Sequence, residues 1–264
     1  MLVVERHARI TQAIQCGSVV STTELAALLG VSAETIRRDL AELEAKGALV
    51  RVRGGAMRTG HVSDEPPFVE RSGTGTEAKE AIGRLAAEQV EPGQTVVIDV
   101  GTTAMYVARA LAAGGFSGVV ITCSILVANE LADVSEIEVQ LSPGRMRHGD
   151  RALSGPATQT YFEDVFADVA FLGSGGVHAD AGLTDFYVDE THVRRVIMRH
   201  SAANYVLADG SKHQRIAPYR VAPLADIDAL ITDQEPPVEL ERAVTRASGQ
   251  IIRPREDAAP EGKD

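Results

Sequence analysis

The chain has 264 residues, 44% hydrophobic and 24% charged, which fits a water-soluble globular protein with room for one large domain and one small one. Its net charge of −11 argues against a protein that coats nucleic acid over its whole surface. No apolar run reaches the roughly eighteen residues that span a bilayer, and the start lacks a basic segment followed by an apolar signal core, so a cytoplasmic protein is expected. Charge is unevenly spread: residues 1–60 hold eight Lys or Arg against six carboxylates, a net +2, leaving −13 for the remainder. A mildly basic head on an acidic body can bind DNA through the head alone. Cys16 and Cys123 lie far apart in different predicted domains, so no disulfide is expected, and neither belongs to a metal-ligand pattern.

Leu2 to Gln15 places Val3, His7, Ile10 and Ile14 on one helical stripe, with Gly17 closing the helix. His7 on that stripe is expected to pack, with a pH-sensitive role as the alternative. Val20 to Lys46 reads as a helix-turn-helix. Ser21 and Glu24 form a capping box, flanked by Val20 and Leu25 as a hydrophobic staple. The short helix Thr22 to Leu29 should stop at Gly30, and a second cap follows at Ser32 with Val31 and Ile36 repeating the staple. Thr35 stands where a box would have Glu or Gln, which predicts a weaker second cap. On the second helix Ala33, Ile36, Leu40 and Leu43 make one apolar face, leaving Glu34, Arg37, Arg38 and Ala41 to point away. Two adjacent guanidinium groups near the start of such a helix suit the major groove of DNA; a solvated charged face is the blander alternative.

After Gly47, Leu49 to Arg53 alternates apolar and basic residues and ends at Gly54-Gly55, which predicts a two-stranded wing with Arg51 and Arg53 facing phosphates, or else a merely solvated hairpin. Residues 1–58 are therefore expected to form a winged helix-turn-helix domain. Periodicity is lost over 59–75, a Gly-, Ser- and Thr-containing stretch with Pro66-Pro67, read as a linker. Thr76 to Val90 is predicted helical, and Pro92-Gly93 turns the chain into a strand, Thr95 to Asp99. Apolar β-branched runs recur at Val119 to Thr122, Ile137 to Leu141, Val169 to Leu172, Tyr205 to Leu207 and Ala229 to Ile231. Helical stretches separate most of them, so residues 76–253 should form a mostly parallel α/β domain. A helix about Pro237 to Ala247 and a strand Gln250 to Ile252 complete it, and residues 254–264 form a charged tail with nothing to bury.

Ligands of open parallel sheets bind at the carboxyl ends of strands. There the sequence offers Gly101-Thr102-Thr103, Thr122-Cys123-Ser124, Gly173-Ser174-Gly175-Gly176 and Asp209-Gly210-Ser211-Lys212. Backbone N–H groups at a helix start, hydroxyls and one lysine can together hold a phosphate and sugar hydroxyls; for the Gly-Thr-Thr turn alone, a bare capping turn is the alternative. Arg145, Arg147 and Arg151 could grip an anion or decorate a solvated loop.

Ser32-Ala33-Glu34-Thr35-Ile36-Arg37-Arg38-Asp39-Leu40, with Arg6, Ile10 and Ile14 upstream, resembles the N-terminal signature of the DeoR family of bacterial transcription regulators. Asp99-Val100-Gly101-Thr102-Thr103, the Phe171-to-Thr184 segment and Asp209-Gly210-Ser211-Lys212 resemble that family's sensor domain, so the likeness covers nearly the whole chain. It implies a sensor fold related to ribose-5-phosphate isomerase and the CoA transferases, and an effector that is a phosphorylated sugar or related metabolite. On matching positions, Asp99, Gly101, Thr102, Thr103, Thr122, Gly175 and Lys212 would line the effector pocket, with Glu190 closing it. Cys123 stands where the family usually has Asn, Pro143-Gly144 where it has Gly-Gly, and Asp185 adds an unexpected carboxylate.

The expected function is thus a repressor of carbohydrate or related metabolic genes that binds operator DNA as a homo-oligomer. Its DNA contacts would come from Ser32, Glu34, Thr35, Arg37, Arg38, Arg51 and Arg53. No cofactor, metal or catalytic residue is expected. The competing reading is a phosphosugar isomerase-like enzyme with an appended DNA-binding head, using Asp99, Glu190, Asp209 and Lys212 for proton transfer and anion stabilisation.

Overall fold

The computed structural model describes residues 3–16, 20–45, 49–52, 54–58 and 65–254. The chain divides into two compact units, Met1–Asp64 and Glu65–Asp264.

The first unit runs α1 (Val3–Cys16), β1 (Val20–Ser21), α2 (Thr22–Leu29), α3 (Ala33–Ala45), β2 (Leu49–Val52) and β3 (Gly55–Arg58). The capping box is formed: Ser21 Oγ accepts the N–H of Glu24 at 3.1 Å, and Glu24 Oε2 accepts the N–H of Ser21 at 2.8 Å. Gly30 ends α2 at φ 64°, a left-handed conformation that costs glycine least, and its N–H bonds Ala26 O. Ser32 Oγ accepts the N–H of Thr35 at 3.1 Å and lies 2.9 Å from Thr35 Oγ1, so the second cap works without an acidic partner. Ile10, Ile14, Leu25, Ile36, Leu40 and Leu49 close a core shared by all three helices and the wing.

Two expectations for this unit need correction. Val3 is 50% exposed, because as the first residue of α1 it lies nearly two turns before the packed layers at Ile10 and Ile14. The wing is a three-stranded sheet in the order β1-β3-β2, since Val20–Ser21 pairs with Gly55–Ala56; a two-residue strand is too short to leave an alternation signal. Arg53, Gly17, Lys46 and Gly47 lie outside the described residues.

The second unit opens with α4 (Phe68–Gly73) and α5 (Thr76–Ala87), followed by β4 (Thr95–Ile98), α6 (Thr102–Ala113), β5 (Gly118–Thr122), α7 (Ile125–Leu131) and β6 (Ile137–Leu141). A hairpin of β7 (Arg145–Met146) and β8 (Leu153–Ser154), then α8 (Pro156–Glu163), lead into β9 (Ala167–Leu172). Next come β10 (Gly176–His178), β11 (Gly182–Asp185), α9 (Val188–Arg199), β12 (Ser201–Leu207), β13 (Tyr219–Ala222), β14 (Ala229–Ile231), α10 (Val238–Arg246) and β15 (Gln250–Ile252). Seven strands form one parallel sheet in the order β15-β14-β12-β9-β4-β5-β6, as the βα alternation predicts.

Alternate residues of each central strand enter opposite cores. Val96, Ile98, Val169 and Phe171 pack on the side of α5, α6 and α7, while Val97, Ala170 and Leu172 pack with Phe162, Val193, Ile197 and Leu240 from α8, α9 and α10. The antiparallel sheet β10-β11-β13 is built from short strands inside the crossovers, and the sequence reading missed it. No helix among the described residues is long and apolar enough to cross a membrane.

The expected linker 59–75 also needs correction. Residues from Glu65 onward belong to the second unit, and 68–73 are helical. Six residues are too few to show a helical period, and α4 is held by an outside group: Lys79, buried in α5, donates from Nζ to the carbonyls of Arg71 and Thr74. Residues 59–64 and the tail beyond Pro254 lie outside the described residues.

Candidate functional site

In the first unit, the outward face of α3 carries Ser32, Glu34, Arg37 and Arg38, all exposed, and Thr35, half-buried. Arg37 keeps 60% of its side chain in water, with Nη1 2.9 Å from Glu34 Oε2, an i,i+3 pair worth little in that setting. Arg51 of the wing is also exposed; its N–H donates to Glu44 Oε1 at 3.0 Å, and its guanidinium stands 4.0 Å from Glu44 Oε2. The opposite face holds a polar lock that the sequence reading did not place. Asp39, buried, accepts Arg6 Nε at 2.5 Å and Nη2 at 2.9 Å, and lies 3.1 Å from His7 Nε2. The Arg6 hydrogen bond, helped by His7, holds the Asp39 carboxyl below the usual carboxylate range against the effect of burial. The signal was present: Asp39 stands three residues after Ile36 and four before Leu43, on the apolar face. The lock ties α1 to α3 and so fixes how the exposed arginines are presented.

In the second unit the strand order reverses between β4 and β9: β4, β5 and β6 progress one way, β9, β12, β14 and β15 the other. Such a switch point is where an open parallel sheet leaves a crevice at its carboxyl edge. Two of the predicted turns behave differently there. After β5, Thr122 Oγ1 accepts the N–H of Ser124 at 3.0 Å, and Ser124 Oγ accepts the N–H of Val127 at 3.3 Å. Thr122, Cys123 and Ser124 are all buried, so this turn caps α7 with its own hydroxyls and leaves little for a ligand. After β4, Gly101 takes φ 128° and ψ 165°, and no side chain caps α6. Thr102 is buried, whereas Gly101 and Thr103 are half-buried. The first N–H groups of α6 therefore remain as oriented donors at the switch point.

Asp99 and Glu190 differ from the expectation that their carboxylates face an effector. Arg194 of α9, only 2% exposed, bonds Asp99 and Asp185 through Nε and Nη1, and its Nη2 stands 3.4 Å from Glu190 Oε2. Asp99 is 1% exposed and also accepts the N–H of Gly173 at 3.0 Å; Glu190 is 7% exposed. Burying a guanidinium demands carboxylates around it, and these residues supply them. Asp185, unexpected from the sequence, has the same role and accepts the N–H groups of Phe186 and Tyr187 at 2.7 and 3.1 Å. Burial pushes Glu190 up to about 8 despite Arg194, so it holds its proton at neutral pH more than an ordinary carboxyl does. Burial, reinforced by Asp99, likewise raises the Cys123 thiol, whose Sγ lies 3.9 Å from Asp99 Oδ1. Sequence reading missed Arg194; the i,i+4 spacing of Glu190 and Arg194 on a helix was the available clue.

Arg147 extends the cluster. It bonds Asp150, stands 2.5 Å from Glu190 Oε1 and covers the Tyr187 ring at 3.5 Å. With Arg145, Met146, His148, Ser154 and Glu190 it borders a groove of 360 Å³ between the β7–β8 hairpin and the start of α9. The 101–103 turn does not line this groove. Gly175 is buried, its N–H bonded to Thr184 O at 3.0 Å, and so serves the frame. Lys212 lies in the turn after β12, a strand that stands two places from β4 in the sheet, about 10 Å at ordinary strand spacing. Burial lowers its pKa, with Arg215 adding to the effect and Asp209 and Glu65 opposing it.

Comparison with known proteins agrees with this division into two units. The DeoR-like helix-turn-helix domain matches residues 6–60, and the DeoR C terminal sensor domain matches residues 74–234. The HTH-type transcriptional repressor CsqR of Escherichia coli (strain K12) is 33% identical over 253 residues, 96% of either chain. The Glycerol-3-phosphate regulon repressor of the same organism is 34% identical over 242 residues, 91% of this chain and 95% of that one. A partial likeness extends to ribose 5-phosphate isomerase A of Methanocaldococcus jannaschii, at 17% identity and a TM-score of 0.39 over 53% of this chain and 55% of that one. With both units matched in order and relatives of this identity along almost the whole length, the chain belongs to the DeoR family of DNA-binding transcriptional regulators.

Proposed function

We propose that this regulator is a repressor whose grip on operator DNA is controlled by a phosphorylated metabolite held at the start of α6, with Lys212 as counter-charge. The observation that carries the reading is the contrast between the two strand-end helices: α7 is capped by its own side chains, whereas α6 opens uncapped at the switch point. Oriented N–H donors with a nearby ammonium suit a phosphate better than a neutral sugar. That a relative is named for the glycerol-3-phosphate regulon makes glycerol 3-phosphate the first ligand to try, followed by other phosphorylated polyols and sugars. Arg37 and Arg38 would read base edges, Ser32, Glu34 and Thr35 would flank them, and Arg51 and Arg53 would contact phosphates. Operator binding by a symmetric homo-oligomer would match paired half-sites.

The test is to sequence DNA fragments retained by the purified protein and then titrate the phosphorylated compounds against the protein–operator complex. Release by a phosphorylated metabolite, and none by its unphosphorylated form, is the expected result. Indifference of the complex to every phosphorylated compound, or turnover of a sugar phosphate by the protein itself, would overturn the reading.

A further inference from the structure

A segment of the second unit that the regulator reading leaves without a role is the strap formed by residues 65–73. It starts at Glu65, continues through Pro66-Pro67 and ends in α4. Glu65 Oε1 is 3.0 Å from Arg71 Nη1, with only 11% and 15% of the two side chains exposed. Arg71 Nε also donates to the carbonyl of Pro66 at 3.0 Å, which folds the strap back on itself. Its far end is tied by Lys79 to the carbonyls of Arg71 and Thr74. Helix α4 packs on α6, the helix whose start offers the open donors. None of the residues of α4 is buried, and Val69 is 81% exposed. The strap is thus fastened by charge and hydrogen bonds and hardly at all by apolar packing, the kind of segment that opens locally at small cost.

The surroundings of the Glu65 carboxylate are those an anion would choose. Besides Arg71, the charges of Lys212 and Arg147 act on it favourably, while Asp185 opposes; burial nonetheless raises its pKa. A half-buried carboxylate paired with Arg71 and drawn by the charges of Lys212 and Arg147 is a resident anion in a place suited to an exchangeable one.

We propose that Glu65 is the built-in occupant of the sensor's cationic position, and that the effector's phosphate replaces its carboxylate and frees the strap. The proposal rests on the phosphate reading given above and adds how occupancy leaves the site. Proline fixes φ at 66 and 67, which leaves only ψ rotation there to absorb a displacement of Glu65 and favours movement of the chain on either side. On the amino-terminal side that chain is residues 59–64, the covalent connection to the DNA-binding unit. The phosphate acts because it binds the displaced state and competes with Glu65 in the other, which is the differential affinity that any switch requires.

The experiment uses the full-length chain and inorganic phosphate as the probe, with hydrogen exchange and calorimetric titration on wild type, Glu65→Gln and Thr102→Glu. Phosphate should speed amide exchange over 68–73 in the wild type. Glu65→Gln should exchange fast there without phosphate and bind it about tenfold tighter, the gain expected if the carboxylate occupies the position nine-tenths of the time. Thr102→Glu should lose the phosphate effect, marking the anion as the one at the start of α6. If wild type and Glu65→Gln bind phosphate equally and exchange over 68–73 does not change, the strap is not displaced, and this proposal fails while the phosphate reading stands. If neither binds phosphate, the phosphate reading fails and takes this proposal with it.

Discussion

Two arginine sites, one in each unit, are used in opposite ways. On α3, Arg37 and Arg38 stand in water, and Arg37 is paired only with an equally exposed Glu34. In the second unit Arg194 is sealed among Asp99, Asp185 and Glu190. An exposed guanidinium contributes little to folding and remains available to a polyanion; the buried one holds three chain segments in register, the end of β4, the end of β11 and α9. The exposed arginines of α3 are therefore surface open to a polyanion, whereas Arg194 under the sensor's switch point, like the Arg6–Asp39 pair of the head, is framework.

Removing the buried charge breaks this comparison most severely. Arg194→Leu leaves the buried Asp99 and Asp185 carboxylates without their counter-charge, and should cost the second unit about 3–5 kcal/mol, read as a lowered denaturant midpoint of its transition. If Arg194→Leu melts like the wild type, the cage is not structural. The exposed arginines should leave stability unchanged and act only on DNA: Arg37→Ala or Arg38→Ala should weaken operator binding by about 1–3 kcal/mol and relax specificity at one position, measured by titration against operator variants. Arg51→Ala should have a milder effect, weakening all sequences alike and making the salt dependence shallower by about one unit.

The gentlest probe is pH. Glu190 titrates at about 8 in the fold against 4.5 for the ordinary group, so its protonated form favours folding. That contribution is complete below the lower value and is lost as pH rises through the higher one. Glu190→Gln, which imitates the protonated acid, should flatten the loss of stability of the second unit between about pH 5 and 9, followed by urea unfolding across that range.

The head was legible because its signals are local. Ser21 with Glu24, Gly30, and Ser32 each declare a helix end within four residues, and Ile36, Leu40 and Leu43 declare a face within two turns. The parallel sheet was legible through repeated apolar runs at Thr95, Val119, Ile137, Val169 and Ala229. The strap at 65–73 was not, because six helical residues carry no period and the group holding them, Lys79, belongs to the next helix. Arg194 was hidden for a related reason: Asp99 lies 95 residues away from it, and long-range pairing leaves no pattern in one sequence. The same limit explains why Thr122 and Gly101 looked equivalent as strand-end turns, although one caps its helix and the other leaves the donors open.

The central claim is that a phosphorylated metabolite binds the uncapped start of α6 and thereby controls the DNA-binding unit. Calorimetric titration of wild type and Thr102→Glu with the metabolite that releases the operator tests it most directly. A carboxylate at position 102 occupies the phosphate position by both charge and volume, so the variant should lose effector binding while its operator affinity stays within about twofold of wild type. It should then repress without response to the metabolite. Equal binding of the effector by both proteins, or a wild type that prefers the unphosphorylated compound, would contradict the account.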